Sequence, residues 1–232
     1  MKQLSDILFI VQARLSSSRL PKKMLKPFTG TNLTQIAIDR VKESILPNSN
    51  FYLSVNENEL IELAELNKVN VYKRSNQSIR NDDNIPFSLT EVFEWWDKLP
   101  FKYYIIMNAC NPLITTQTIN NFIKEFQQTK GGLISVKEHK HWFYKKNGKF
   151  VQENYGNEDA RITFNSKYVE TLYSNGPLKG GILENIGKNI YSHDFNYPNP
   201  NIWLYPNDEY VDIDYEWEFK LAEEMYKIKN NG

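Results

Sequence analysis

The chain has 232 residues, 41% of them hydrophobic and 24% charged, proportions of a globular protein and not of a disordered one. Its 28 basic residues balance 28 acidic ones, which argues against general nucleic-acid binding. A single cysteine excludes an internal disulfide framework and fits a reducing cytoplasm, and no apolar run approaches the ~18 residues of a membrane span.

Ile7 to Gln12 is an unbroken apolar run of strand formers, the pattern of a strand covered on both faces. A polar, basic loop follows, to about Asn32. Ile38, Val41 and Ile45 then define a helical stripe that Pro47 ends. Phe51 to Val55 reads as a strand, Glu57 to Leu66 as a helix with Leu60, Leu63, Ala64 and Leu66 inward, and Val69 to Tyr72 as a third strand. After a polar stretch from Arg74 to Pro86, Leu89, Val92, Phe93 and Trp96 take the spacing of an amphipathic helix. Tyr103 to Met107 is a buried strand, Ile119, Phe122, Ile123 and Phe126 mark a helix, and Leu133 to Val136 is a further strand. This alternation predicts an α/β fold: a mostly parallel sheet with right-handed crossovers and helices on both faces.

From about Lys137 to Pro206 the rhythm breaks. The segment holds all three histidines and the turn signals Asn147-Gly148, Asn175-Gly176 and Gly180-Gly181. It reads as a β-rich excursion of hairpins and loops appended to the sheet, its aromatics forming either a dimer arm or a local core. Val211 to Asp214 reads as a short strand, and Tyr215 to Lys229 as a helix with Trp217, Leu221, Met225 and Ile228 inward. With no repeat or linker, residues 1–232 are expected to form a single domain carrying this insertion at about 137–206.

The neutral total hides an asymmetry. Between Asp6 and Asp39 there is no acidic residue, while Arg14, Arg19, Lys22, Lys23 and Lys26 are basic. This loop follows the first strand, and in open parallel sheets ligands bind beyond the carboxyl ends of strands. Arginine forks, lysine point charges and the hydroxyls of Ser16, Ser17 and Ser18 suit a phosphate chain, although a basic loop can also be just a solvated one. At the other end, acidic residues crowd between Asp208 and Glu224. Asp212 and Asp214 flank Ile213, and strand alternation sends both carboxylates to one face, their Cβ atoms roughly 6–7 Å apart. That separation lets both lean onto one Mg²⁺. Alternatively, Asp214 is the N-cap of the last helix.

Other residues carry less. His139 and His141 lack a third ligand nearby, and they and His193 read as ordinary surface or arm residues. Cys110 reads as a small packing residue and Trp95-Trp96 as core. There is no nucleophile elbow, Walker lysine or dinucleotide fingerprint.

The stretch Gln12-Ala13-Arg14-Leu15-Ser16-Ser17-Ser18-Arg19-Leu20-Pro21-Lys22-Lys23-Met24-Leu25 resembles the nucleotide-binding loop of the cytidylyltransferases, whose acylneuraminate, KDO and spore-coat-polysaccharide members make CMP-activated acidic sugars. Val211-Asp212-Ile213-Asp214 with Glu218-Phe219 and Ala222-Glu223 is similar to the carboxyl-terminal metal motif of the sialic-acid branch. Val71-Tyr72-Lys73-Arg74 is similar to its third strand and phosphate-contacting arginine. Two departures stand out. Lys22 replaces a glycine frequent in the family, and Met107-Asn108-Ala109-Cys110-Asn111-Pro112 lacks the acidic ligand of the KDO branch.

The resemblance implies a Rossmann-like nucleotidyltransferase fold, a cytoplasmic enzyme and a homodimer. CTP would lie on Ala13, Arg14, Ser17, Arg19, Lys23 and Arg74, with Mg²⁺ on Asp212 and Asp214. Arg14, Arg19, Lys23, Asp212 and Asp214 would carry the catalysis. An acidic sugar would be the acceptor, near Asn108 and Asn111, although asparagine before Pro112 is equally a turn signal. The alternatives are nucleotidyl transfer to a sugar phosphate or phosphonate, and a nucleotide-binding protein without turnover.

Overall fold

In the computed structural model, which describes residues 1–80, 88–152, 167, 169–188 and 201–231, the run Ile7–Gln12 forms strand β1. It is joined by β2 (Phe51–Val55), β3 (Asn70–Lys73), β4 (Tyr103–Asn108), β5 (Leu133–His139), β6 (Leu172–Ile182) and β7 (Asn201–Leu204). The sheet order is β3-β2-β1-β4-β6-β5-β7. β1 pairs in parallel with β2 and β4, and Phe9 stands opposite both Phe51 and Ile105. The crossovers leave β1 toward β2 on one side and return to β4 on the other, so the order reverses at β1, where an open α/β sheet leaves a crevice.

Strand alternation splits the core. Ile7, Phe9 and Val11 pack with helices α1 (Leu33–Lys42) and α4 (Thr116–Gln128), while Leu8 and Ile10 meet Trp95, Tyr104 and Ile106 on the other face. Asn32 caps α1 by accepting from the Gln35 amide at 2.8 Å. α1 ends at Lys42, so Ile45 lies beyond the stripe and is exposed. Leu60 and Ala64 anchor α2 (Asn58–Leu66), whereas Leu66 ends it facing solvent.

The amphipathic helix expected from Leu89 is broken. A Ser88–Glu91 capping box starts α3 (Leu89–Val92), Phe93 leaves helical backbone, and Glu94–Asp97 tightens into a 3₁₀ turn. That tightening rotates Trp95 into the second core, against Phe93 and Tyr104, and leaves Trp96 only partly buried.

The excursion also departs from expectation. β6 is not appended at the edge but lies between β4 and β5, antiparallel to both. Asn175-Gly176 and Gly180-Gly181 are therefore strand interior and not turns. Glycine is required by close approach: a Cβ at Gly180 would stand 2.9 Å from the Phe126 ring, and one at Gly176 2.5 Å from the Ser135 hydroxyl. Helix α5 (Leu183–Gly187) follows β6 directly.

Helix α6 (Glu216–Asn231) presents a different face from the one expected. Phe219 and Ala222 are buried and Met225 partly so, while Trp217, Leu221 and Ile228 are exposed. Polar anchors set the rotation. Lys26 pairs with Glu216 at 3.0 Å, the Thr29 amide donates to Glu223 at 3.3 Å, and Phe28 meets Phe219 edge-on. These contacts also fasten the last helix to the basic loop. No helix among the described residues is long and apolar enough to cross a membrane.

Candidate functional site

The loop after β1 is held by alternating anchors. Leu15, Leu20 and Met24 are buried, the Leu15 amide donates to Glu57 Oε1 at 2.7 Å, and the Lys22 amide donates to the Leu15 carbonyl at 3.1 Å. Ala13 is buried beside the Ser54 carbonyl. With these tied down, Arg14, Ser17, Arg19 and Lys23 line a cleft of about 360 Å³, closed by Arg74, Ser78, Val92 and Cys110.

Lys22, where the sequence resemblance leads one to expect glycine, has φ +55°. An L-residue there costs roughly 1–2 kcal/mol, against about 0.5–1 kcal/mol for the extra backbone entropy of glycine. The Lys22 side chain is largely exposed and loses only a 3.9 Å pair with Glu59. Lys22→Gly is therefore expected to stabilise the fold by up to ~1 kcal/mol, seen as a higher thermal unfolding midpoint.

Across the cleft, Val211 to Asp214 joins no sheet among the described residues, where the expected strand lacks a ladder partner. It is fastened by the Ile213 amide donating to the Cys110 carbonyl at 3.0 Å. The alternation survives nonetheless: Val211 and Ile213 are buried and the two aspartates lie on the other side. Asp214 Oδ1 meets Arg19 at 2.8 Å and Lys23 at 3.2 Å, and Lys23 also donates to the Ile213 carbonyl at 2.6 Å. The two oppositely charged ends of the polypeptide thus meet here. Asn108 Nδ2 donates to Asp212 at 3.2 Å. Glu218 accepts from the amides of Asp214 and Tyr215 at 2.7 and 2.8 Å, so it secures the start of α6 and leaves the Asp214 carboxylate to the cations.

The electrostatics follow from burial. Burial opposes charge on Lys23, but Cys110 and Asp214 outweigh it and hold the ammonium above the usual lysine range. Burial also pushes the Cys110 thiol up, against the pull of Lys23. Burial, and then the Asp214 charge, raise Asp212 above the ordinary carboxylate range. Burial and the nearby Arg14 lower Arg74 to about 10, still charged at neutral pH. Ser78 fixes Arg74 through its hydroxyl at 2.8 Å and its carbonyl at 2.6 Å, and Arg14 donates to the Arg80 carbonyl at 3.1 Å.

Not every expected residue reaches the cleft. Asn111 is only 2% exposed, in the turn after Cys110, and its Oδ1 is buried with no partner among the described residues. Among the described residues no three His, Cys, Asp or Glu side chains cluster as metal ligands, and His139 instead bonds Ser174 at 2.7 Å. His193 lies outside the described residues. Conversely, Gln12, Ser78, Val92 and Cys110 line the cleft, and Glu57 and Glu218 hold its two walls. Lys179 of β6, its pKa lowered by burial, feels the opposing charge of Asp212. Glu57 and Glu218 look like ordinary helix formers in sequence, and Lys179 sits in a segment rich in turn signals; only folding reveals their positions.

Comparison with known proteins agrees with this geometry. A stretch of 41 residues is 49% identical to the spore coat polysaccharide biosynthesis protein SpsF of Bacillus subtilis (strain 168), covering 18% of this chain and 17% of that protein's length. A CMP:2-keto-3-deoxy-manno-octonic acid synthetase solved with CTP superposes with a TM-score of 0.67 at 10% identity, over 97% of this chain and 100% of that one. A cytidylyltransferase from Leptospira borgpetersenii serovar Hardjo-bovis (strain JB197) gives 0.59 at 15% identity, over 97% and 94%. A 4-diphosphocytidyl-2C-methyl-D-erythritol synthase from Anaerococcus prevotii DSM 20548 gives 0.66 at 10% identity, over 95% and 96%. At these identities the likeness concerns the fold, and it is the Rossmann-like nucleotidyltransferase fold expected above. The cytidylyltransferase family profile itself matches residues 8–175, more than half of the sequence, and the chain belongs to that family.

Proposed function

We propose that the protein transfers CMP from CTP to an acidic sugar and releases pyrophosphate. The observation that carries this reading is the pairing of Arg19 and Lys23 with Asp214 at 2.8 and 3.2 Å, which brings phosphate-binding cations and a carboxylate pair to one cleft. Arg14, Ser17, Arg19, Lys23 and Arg74, with the Ala13 backbone, hold the nucleotide. A triphosphate carries more negative charge than one carboxylate, so it takes Arg19 and Lys23 over from Asp214. The acceptor hydroxyl oxygen then bonds the α-phosphorus in line, the bond to the β-phosphate oxygen breaks, and the hydroxyl proton is lost to solvent. Arg19 and Lys23 neutralise the departing pyrophosphate, and positioning and charge do most of the work in such transfers.

Asp212 and Asp214 fit Mg²⁺, which takes one or two carboxylates and fills its shell with water and phosphate oxygens; burial first and the Asp214 charge second disfavour an ionised Asp212, and such an ion relieves the second. When bound, Mg²⁺ would supply charge neutralisation at the α-phosphate. Asn108 orients Asp212 and so stands on the acceptor side, with Lys179 as a cation suited to the acid group of the sugar. Asn111 belongs to this reading only as a support of that turn. The proposal also takes residues 1–232 as one domain, working in the cytoplasm as a homodimer. The exposed Trp217, Leu221 and Ile228 support self-association.

The test is pyrophosphate release with Mg²⁺, each of the four ribonucleoside triphosphates and a panel of acidic sugars, sugar phosphates and phosphonates. Turnover restricted to CTP with an acidic sugar is the expected result. Turnover only with a phosphate or phosphonate acceptor moves the acceptor class, and nucleotide binding without turnover overturns the enzyme reading.

A further inference from the structure

We propose that Gln12 selects the nucleobase, reading the amino group and ring nitrogen of cytosine through a side-chain amide locked in one orientation. The inference rests on the nucleotide-binding role proposed above. Topology divides the cleft. Arg74 and Ser78 follow β3, Cys110 follows β4, and these strands lie on opposite sides of β1. Cys110 borders Lys23 and the aspartates, so the reacting phosphate lies on the β4 side and the nucleoside extends toward Arg74, Ser78 and Val92. Gln12, the last residue of β1, lines this cleft.

Its amide cannot turn freely. Nε2 donates to the Val92 carbonyl at 3.1 Å, and the flipped amide would set two oxygens against each other. Among the described residues no donor meets Oε1. The remaining edge offers one acceptor, Oε1, beside one donor, the second hydrogen of Nε2. Cytosine presents the complement in the same order: its N4 amino group donates and its N3 accepts. Uracil in that register presents the O4 acceptor to Oε1 and its N3–H to Nε2–H, so both contacts are repulsive. A site built on a fixed donor–acceptor pair rejects the mismatched partner strongly because its own polar groups are left unpaired.

The test is calorimetric titration of wild type, Gln12→Leu and Gln12→Glu with CTP and with UTP, no acceptor present, each variant's fold checked by its thermal unfolding midpoint. Wild type is expected to bind CTP at least about tenfold more tightly than UTP. Gln12→Leu should lose that preference by weakening CTP alone. Gln12→Glu, whose carboxylate can donate neither to the Val92 carbonyl nor to cytosine N3, should lose the preference as well. A folded Gln12→Leu that keeps the wild-type CTP to UTP ratio overturns the inference. Equal binding of both nucleotides by wild type overturns it too but leaves the nucleotide cleft standing, whereas binding of neither overturns the functional reading as well.

Discussion

Asp212→Asn is expected to lower pyrophosphate release by about a thousandfold or more while raising the thermal stability of the nucleotide-free protein. The two effects share one cause. Asparagine keeps an oxygen to accept from Asn108, whose Nδ2 lies 3.2 Å from Asp212 Oδ1, so the local geometry is preserved. It removes the negative charge needed to hold a divalent cation against the triphosphate. Burial and the neighbouring Asp214 place the Asp212 pKa above its unfolded value. The folded state therefore carries the cost of an ionised buried acid at neutral pH, a cost absent below the unfolded pKa and incurred as pH rises through the folded one. A neutral amide never incurs it. Asp214→Asn should also lose activity but should destabilise the fold by about 1–3 kcal/mol, because Lys23, its side chain 10% exposed, loses its counter-ion. Steady-state pyrophosphate release and thermal unfolding of both variants check this. Near-normal turnover by Asp212→Asn would remove the carboxylate pair from the mechanism.

Arg19→Ala is the second large effect: kcat/KM for CTP should fall by about a thousandfold, ~4 kcal/mol, with the unfolding midpoint nearly unchanged. Arg19 is 53% exposed in its side chain, and its contacts are Asp214 and the Tyr215 ring, so little packing is lost. Exposed ion pairs of this kind contribute about 0–1 kcal/mol to folding, whereas the same guanidinium facing a phosphate in the cleft forms charge-assisted bonds that strengthen as pyrophosphate departs. Lys23→Ala should differ by losing stability as well as turnover, since its ammonium bonds the buried Ile213 carbonyl and ties the two walls together. Arg19→Lys keeps the charge without the fork and should fall between. Unchanged kinetics in Arg19→Ala would place the triphosphate elsewhere.

The fit between residue order and fold varies with the kind of contact involved. The first strand was legible because it is covered on both faces and is therefore apolar from Ile7 to Val11. β6 was not: its glycines look like turns, and what they accommodate, the Phe126 ring and the Ser135 hydroxyl, comes from distant segments. The last helix misled in the same way. Its apolar residues make two stripes, and an ion pair to Lys26 and a hydrogen bond from the Thr29 amide, far away in the chain, decide which one is buried. At Val211 to Asp214 alternation predicted the faces correctly even though no ladder forms among the described residues, because burial of Val211 and Ile213 imposes it.

Chemistry confined to a short stretch could be read from the residues alone: a loop of cations with no acid between Asp6 and Asp39, two aspartates flanking an isoleucine, and an apolar strand to launch the loop. Spacing along one backbone sets those features. Which groups meet across the cleft, that Glu218 and not Asp214 secures the last helix, and how Val92 locks the Gln12 amide were settled only when the chain closed on itself, since each joins residues whose separation in space no local pattern encodes.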